Sequence, residues 1–266
     1  MQIYGSIIKI YHKIREYYLN NNLILQIVAK NLLVNAIYYI AGKDLKKESS
    51  KCKNLQDFIA LSSNYKYSIF KFLPPIIFLG SQQKEKEILG FSKLIHKTKP
   101  KKILEIGTAH GGTFFLFSRI CSKNSTIFSI DLPIMRYAGG MTFPPPPKIF
   151  LKAFKLDNQE MVIIRRDSQS SSTIKKVKTK LKEEKLDVLF IDGNHSYEGV
   201  KNDFKLYSPL VRKGGIIAFH DIVDVPSHVD VQVNKFWNEI KQNYEYTEFV
   251  EDWNQGQFGI GVIYKK

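Results

Sequence analysis

Short apolar runs alternate with amphipathic segments from about residue 80 onwards. The runs are rich in Ile, Val and Phe, as buried strands are, and the segments between them have helical spacing. This alternation predicts a mostly parallel sheet that is covered by helices on both faces. The predicted parallel strands are KILEIG (102–107), TIFSID (126–131), MVIIRR (161–166), DVLFID (187–192) and GIIAFHD (215–221).

The end of the chain departs from this alternation. Two further strand-like runs, YEYTEFVE and FGIGVIYKK, are separated only by DWNQGQ, which predicts an antiparallel hairpin that closes the sheet. In α/β sheets of this kind, ligands bind beyond the carboxyl ends of the strands. The polar residues that follow each predicted strand are therefore the first candidates for a functional site.

The first 60 residues have a separate, helical pattern. Apolar residues at positions 3, 7, 10, 14 and 17 share one side of a predicted helix over 3–20, and a largely apolar helix is predicted over 23–40. Lys30, in the middle of the second helix, argues against a transmembrane span. Two alternatives stay open: packing against the domain or a second subunit, and contact with a membrane surface. The polar stretch KDLKKESSKCKN (43–54) is predicted to be a linker.

A net charge of +15 raises the question of nucleic-acid binding. Most of the basic residues are Lys, whereas bidentate recognition of bases and phosphates favours Arg. The densest basic run, KKVKTKLKEEK (175–185), belongs to a segment with apolar residues at helical spacing, so it predicts a solvated helix face. The charge therefore favours solvation over nucleic-acid binding, and it leaves attraction to anionic lipids or acidic substrates open.

The two cysteines, Cys52 and Cys121, lack the CxxC spacing of a metal or redox motif. This cysteine usage favours a reduced, intracellular setting. The N-terminus shows no signal-peptide pattern. We therefore expect a cytoplasmic protein, and the apolar N-terminal helices leave association with a membrane open.

The turn after the first parallel strand, LEIGTAHGGT (104–113), has glycines that let backbone approach a ligand closely. It lacks the Gly-Lys-Ser/Thr of a Walker A loop, and Ala109 replaces the second glycine of GxGxxG. Glu105 places a carboxylate beneath the turn. This carboxylate would repel a pyrophosphate and attract a cationic amino-acid group.

Acids also end the next two strands. Asp131 can accept both hydroxyls of a ribose, and Asp167 with Ser168 lies near the expected position of an adenine ring. The alternative for Asp131 is a helix cap, and for the glycines it is an ordinary tight turn. A ribose and an adenine without a pyrophosphate, together with a cationic tail, describe S-adenosylmethionine.

With these segments the chain resembles the class I S-adenosylmethionine-dependent methyltransferases. The motifs EIGTAHGGT, SID, DS, IDGNHSYEGVKND and GGIIAFHDI carry the resemblance, which covers about residues 80–264. They resemble most the branch with sugar and macrolide O-methyltransferases and cephalosporin hydroxylase-like proteins. The resemblance implies a Rossmann-like α/β fold with a mostly parallel seven-stranded sheet, an antiparallel C-terminal hairpin and an N-terminal helical extension. The expected domains are the extension, 1–60, and the cofactor-binding domain, 61–266.

The resemblance also implies which residues form the site. The expected cofactor contacts are Glu105, Gly107, Thr108, Gly111, Gly112, Thr113, Asp131, Asp167, Ser168 and Asp192. Several members of the branch use a divalent cation, here Mg or Mn, and the expected ligands are Asp192, His220 and Asp221. His220 stands where such enzymes often have an acid, so a structural role for it stays open. His195 is the expected general base, with capping of the helix that begins at Tyr197 as its alternative.

A long insert, residues 133–150, contains two adjacent glycines and four consecutive prolines. A glycine hinge and a stiff proline segment suit a lid over the cofactor and the acceptor, and a variable surface loop is the alternative.

The predicted activity is methylation of a hydroxyl on a small molecule, a sugar or a glycoconjugate, with the N-terminal helices as a candidate surface for homo-oligomers. An inactive binding or assembly protein on the same fold is one alternative. A nucleic-acid methyltransferase is another, although the chain lacks the Asp/Asn-Pro-Pro-Tyr segment that is common in enzymes acting on base amino groups.

Overall fold

The computed structural model describes residues 23–70, 74–81, 83–136, 142–143, 145–226 and 229–266. The helix predicted over 3–20 lies outside this part of the chain. The α-helices are α1 (Leu23–Ser49), α2 (Leu55–Asn64), α3 (Glu85–Thr98), α4 (Gly112–Ile120), α5 (Lys148–Lys152), α6 (Ser171–Leu181), α7 (Tyr197–Tyr207) and α8 (Val233–Ile240). The strands are β1 (Lys66–Tyr67), β2 (Ile77–Phe78), β3 (Lys102–Ile106), β4 (Thr126–Asp131), β5 (Met135–Arg136), β6 (Thr142–Phe143), β7 (Glu160–Arg165), β8 (Leu186–Ile191), β9 (Val211–His220), β10 (Tyr246–Phe249) and β11 (Ile260–Tyr264).

The main sheet has the order β10-β11-β9-β8-β3-β4-β7. The five strands from β9 to β7 in this order are the predicted parallel strands, and each pairs in parallel with its neighbour. The last two strands form the predicted antiparallel hairpin, and β11 pairs antiparallel with β9. The prediction of a mostly parallel, seven-stranded Rossmann-like sheet is therefore confirmed. Because β4 and β8 lie on opposite sides of β3, the order in which strands are added to the sheet reverses at β3, and this is the switch point where a ligand is expected.

Helices cover both faces of this sheet. Apolar side chains of the strands pack against α3, α4 and α5 on one face, and against α6, α7 and α8 on the other. In α6, Val177 and Leu181 are buried while the lysines point to solvent. Up to Leu181 the Lys-rich run is thus the solvated face of an amphipathic helix, as predicted, whereas residues 182–185 lie beyond the end of the helix.

Helix α1 is longer than the sequence pattern indicated. The linker predicted over 43–54 is wrong for residues 43–49, because the helix continues to Ser49. Ala41 and Leu45 lie one turn apart and are buried in the same core as α3, α4 and α5. Lys and Glu are good helix formers, so a few buried contacts hold residues 43–49 in the helix although the other side of this part is polar. Among the described residues, no helix is both long enough and apolar enough to cross a bilayer.

The predicted lid is described only in part. Its strands β5 and β6 form a short antiparallel ladder, with Met135 opposite Phe143 and Arg136 opposite Thr142. Arg165, at the end of β7, donates a hydrogen bond of 3.2 Å to the carbonyl of Pro146 and so attaches the proline segment to the sheet. The role of a lid stays a prediction.

Candidate active site

The cofactor loop, residues 107–111, joins β3 to α4 at the switch point of the sheet. Gly107 has a φ of +87°, which favours glycine, and a Cβ there would lie 1.8 Å from the carbonyl oxygen of Asp192. A Cβ on Gly112 would lie 2.4 Å from the amide nitrogen of Ser81. The glycines therefore do more than form a turn. They let the loop meet the end of β8 on one side and the segment before α3 on the other.

Asp131 ends β4 and braces the cofactor loop. One carboxylate oxygen accepts backbone N–H bonds from Thr108 (3.0 Å) and Ala109 (2.7 Å), and the other accepts one from Leu132 (2.7 Å). Burial raises the pKa of Asp131, and the Arg165 guanidinium, 3.7 Å away, opposes this shift. The carboxylate thus binds the loop and does not cap a helix. It keeps acceptor capacity for a ribose hydroxyl, which stays a predicted role.

Glu105 lies on β3, two residues before the cofactor loop, and it is fully buried. Neither of its carboxylate oxygens has a hydrogen-bond partner among the described residues. Burial raises the pKa of Glu105 well above its ordinary value, although a contact with the hydroxyl of Thr108, too poorly aligned to count as a hydrogen bond, opposes this shift. A buried carboxyl group without a donor is costly, and an ammonium group of a ligand would supply that donor. Glu105 therefore fits the cationic end of the predicted cofactor.

The segment that follows β7 is hydrogen-bonded to a buried acidic side chain, Asp203, that the sequence analysis missed. Ser168 donates a hydrogen bond of 2.7 Å from its hydroxyl to Asp203 on α7, and Asp167 accepts one of 2.9 Å from the amide of Gln169. Asp203 is fully buried, and its second oxygen has no partner among the described residues. Its sequence signal is an acid within the core-facing stripe of α7. Burial raises its pKa to about 6.

Replacing Asp203 with Asn is expected to change the free energy of unfolding, relative to the wild type at the same pH, more favourably at pH 8 than at pH 4. The raised pKa means that the folded protein disfavours the ionised carboxylate, so this group removes stability as the pH rises from about 4 to about 6. A shift of about two pKa units corresponds to about 3 kcal/mol. The measurement is urea unfolding of both proteins at each pH. An equal difference in unfolding free energy at pH 4 and pH 8 would contradict the prediction.

The acid–imidazole cluster, Asp192, His195, His220 and Asp221, lies where β8 and β9 end. These two strands are parallel neighbours, so the residues that follow them meet at one edge of the sheet. The ring of His195 lies 3.4 Å from Asp192 and 3.2 Å from Asp221. The Nδ1 atom of His220 lies 3.2 Å from Asp192 and 3.4 Å from Asp221. The structure thus brings together all four residues that the sequence singled out at these strand ends.

Three members of the cluster have the spacing of a cation site. Asp192, His195 and Asp221 offer ligand atoms that all lie within 4.8 Å of one another. Within the described part of the chain, His220 does not join this set: its Nδ1 faces the two carboxylates, and its Nε2 is buried without a partner. Two carboxylates and an imidazole suit Mg, Mn or Fe. His195 is thus a candidate ligand as well as a candidate base, and the predicted ligand role of His220 stays untested.

The four members of the acid–imidazole cluster shift one another's pKa values. Burial opposes the charge on each member, but the opposite charges of its neighbours outweigh burial. The carboxylates of Asp192 and Asp221 raise the pKa of His220 well above its ordinary value and also raise that of His195. The imidazoles in turn lower the pKa of Asp192 and of Asp221.

Helix α7 is capped by Ser196 and not by His195. The hydroxyl of Ser196 accepts a hydrogen bond of 3.1 Å from the amide of Gly199. The capping alternative for His195 is therefore wrong. The side chain of His195 is 35% exposed, whereas that of His220 is 4% exposed. His195 is thus the imidazole of the cluster that an acceptor molecule can reach.

Gln83, in the segment before α3, is a second residue that the sequence analysis missed. Its side-chain amide donates to Asp192 over 3.3 Å and accepts a hydrogen bond of 2.9 Å from the hydroxyl of Thr113. It therefore links the acid–imidazole cluster to the first turn of α4. No motif marks it, because a Gln in the polar stretch GSQQKEKE has no distinguishing neighbours.

A family model described as a methyltransferase domain matches residues 104–222. The match begins in β3 and ends just after Asp221. It therefore contains every residue that the sequence predicts to bind cofactor or cation, and it confirms the resemblance to methyltransferases.

Two curated relatives are uncharacterized proteins. One, from Acanthamoeba polyphaga mimivirus, is 56% identical over 39 residues, which are 15% of this chain and 18% of the relative. The other, from Sinorhizobium fredii, is 24% identical over 179 residues, which are 64% of this chain and 18% of the relative. The chain thus spans about a fifth of the length of the curated relatives that it matches.

One solved structure shares the fold, and a second is similar over a smaller part of the chain. A putative caffeoyl-CoA O-methyltransferase from Staphylococcus aureus has a TM-score of 0.50 and 18% identity, over 85% of this chain and 99% of that chain. An O-methyltransferase from Bacillus cereus in complex with SAH has a TM-score of 0.47 and 17% identity, over 66% of this chain and 79% of that chain. Together with the sheet order, the first likeness shows that the chain shares the fold of the first of these O-methyltransferases, and residues 104–222 match the family model of a methyltransferase domain.

Proposed function

We propose that the protein transfers the methyl group of S-adenosylmethionine to a hydroxyl of a small molecule, sugar or glycoconjugate, with the help of a divalent cation. The observation that carries this proposal is the contact between the cofactor loop and the acid–imidazole cluster. Only the absence of a side chain on Gly107 lets the loop lie against the carbonyl of Asp192, and the amide of Asp192 bonds to β3 over 2.8 Å. A methyl donor in the loop would therefore lie beside groups that bind and deprotonate a hydroxyl.

Each group then has one role in the transfer. Glu105 pairs with the ammonium group of S-adenosylmethionine and Asp131 orients its ribose, so that the methyl group on the sulfonium sulfur faces the acceptor. Asp192 and Asp221 would hold the cation, which supplies a Lewis acid that lowers the pKa of the acceptor hydroxyl. His195 accepts the hydroxyl proton while the C–O bond forms and the C–S bond breaks, which leaves a neutral thioether.

Incubation with methyl-labelled cofactor and a panel of hydroxylated acceptors, including glycan fractions, tests the proposal. The expected result is label on an acceptor, and loss of this label in excess chelator. Label transfer at full rate in excess chelator would remove the cation from the proposal. Cofactor binding without transfer to any acceptor would favour the binding or assembly alternative.

Two ligands distinguish the roles of Glu105 and Asp131 in cofactor binding. S-adenosylhomocysteine carries an ammonium group, and methylthioadenosine carries the same nucleoside without it. Glu105→Gln is expected to weaken the first ligand by about 10- to 100-fold and to leave the second unchanged, because hydrogen bonds between charged groups are worth about 1.5–3 kcal/mol. Asp131→Ala should weaken both ligands by a similar factor. Calorimetry without added metal measures all four affinities.

The two ligands act as controls for each other. A loss of both ligands in Glu105→Gln would indicate a damaged loop, and unchanged binding of both would refute the role of Glu105. No binding of either ligand to the wild-type protein at millimolar concentration would sink the cofactor assignment.

A further inference from the structure

Helix α1 packs one side against the domain and exposes large apolar side chains on the first part of its opposite side. Its inner side faces the domain: Ala41 and Leu45 are buried, and the ring of Tyr38 packs edge-on against Phe150 of α5 at 5.4 Å. Its opposite side is open to solvent along the described positions from 31 onwards. This outer face consists of Leu32, Leu33, Tyr39, Ile40, Lys43, Lys46 and Lys47.

The first part of the outer face exposes large apolar side chains. Leu32 and Leu33 are 66% and 64% exposed, and Ile40 is 52% exposed. A helix that is apolar all round is normally covered all round, by protein or by lipid. The domain covers only one side of this helix. The other side therefore needs a partner that accepts apolar side chains.

The second part of the outer face is basic. Lys43, Lys46 and Lys47 are exposed, and the ammonium group of Lys43 lies 4.6 Å from the ring centre of Tyr39, where the apolar part ends. The two acidic side chains in this part of the helix are paired with other residues of the protein. Asp44 accepts a hydrogen bond of 3.0 Å from the hydroxyl of Tyr65, and Glu48 pairs with Lys51 at 2.6 Å. The partner should therefore combine an apolar phase with negative charge.

We propose that the outer face of α1 docks the protein on an anionic membrane surface. Leu32, Leu33 and Ile40 enter the boundary between headgroups and acyl chains, and Tyr39 lies at headgroup level, where aromatic residues with a polar end are favoured. The three lysines contact anionic headgroups. The net charge of +15 adds a longer-ranged attraction to the same surface.

A second copy of this chain fits the outer face less well. In a parallel pair of α1 helices, the lysines of one copy would face the lysines of the other, which is repulsive. In an antiparallel pair, the lysines would face the exposed leucines of the partner, which costs desolvation of a charge. An anionic bilayer offers an apolar phase to the first part of the outer face and negative charge to the second part.

Sedimentation of the full chain with vesicles tests the proposal. Vesicles of phosphatidylcholine with about one third phosphatidylserine should bind the protein, and raising the salt from about 0.1 M to about 0.5 M should weaken the binding. Lys43→Gln/Lys46→Gln/Lys47→Gln should lower the partition coefficient by about 100-fold at low salt. The pair Leu33→Asn/Ile40→Asn should lower it at every salt concentration, because it removes the apolar contact.

A matched control separates this face from the general charge of the protein. Lys175→Gln/Lys176→Gln/Lys178→Gln removes the same charge from the exposed side of α6 and should change the partition coefficient by less than about threefold. An equal loss in both triple variants would overturn the proposal, as would unchanged binding in Leu33→Asn/Ile40→Asn. A wild-type protein that ignores these vesicles but forms a dimer, which Leu33→Asn/Ile40→Asn dissociates, would show instead that the face joins two copies.

Discussion

Replacing His195 with Ala is expected to lower turnover by about 10²- to 10⁴-fold, which is the usual share of general base catalysis. The side chain lies between Asp192 and Asp221 and is the more exposed imidazole of the cluster, so the substitution removes a proton acceptor at the point where a hydroxyl would approach. Binding of S-adenosylhomocysteine should be retained, because Glu105 and Asp131 are unchanged. The measurement is label transfer at saturating cofactor and acceptor.

A second measurement separates a base from a cation ligand. If His195 acts only as the base, its Ala variant should bind Mn²⁺ as tightly as the wild type, and added imidazole should restore part of the turnover. If it acts as a ligand, Mn²⁺ affinity should fall and imidazole should restore both affinity and turnover. Asp192→Ala is the control for cation loss: it should abolish Mn²⁺ binding, and its remaining activity should not respond to chelator. Unchanged turnover in His195→Ala would remove both assignments.

The sheet could be predicted from the sequence because its strands are short, apolar and buried on both faces. Such runs have few alternatives once a helical period separates them, so β4 and β8 lie within one residue of their predicted bounds. The convergence of Asp192 and Asp221 followed from the same pattern, since residues that end neighbouring parallel strands must meet at one edge. Sequence reasoning therefore found those site residues that follow a strand directly.

Residues outside such positions could not be found in this way. Gln83 and Asp203 depend on tertiary contacts between segments that are far apart along the chain: Gln83 reaches Asp192, and Asp203 reaches Ser168. The sequence analysis predicted too short a helix α1 for a related reason. The stretch after Ile40 is polar on average, but only the side that carries Leu45 meets the core, and an average over the segment hides that side.

Replacing Gly107 with Ala is expected to lower the free energy of unfolding by about 3–5 kcal/mol, the range of severe single substitutions. Two costs combine in this variant. A φ of +87° disfavours any residue with a Cβ, and the new Cβ would lie 1.8 Å from the carbonyl oxygen of Asp192, which is backbone and cannot turn away. Either the end of β8 moves or the cofactor loop does. Chemical unfolding of both proteins measures the loss.

Gly214→Ala is the matched control, because Gly214 also has a positive φ, +66°, but the nearest atom to a new Cβ is a side-chain nitrogen of Arg212 at 3.6 Å. This variant should lose only the conformational cost, about 1–2 kcal/mol. The excess loss in Gly107→Ala then measures the contact between the cofactor loop and Asp192. Because that contact would also set the distance between the proposed methyl donor and the proposed cation ligands, Gly107→Ala should weaken both S-adenosylhomocysteine and Mn²⁺, whereas Gly214→Ala should weaken neither. Equal destabilisation by the two substitutions, with cofactor and cation binding intact in both, would show that the loop and the cluster are not mechanically joined.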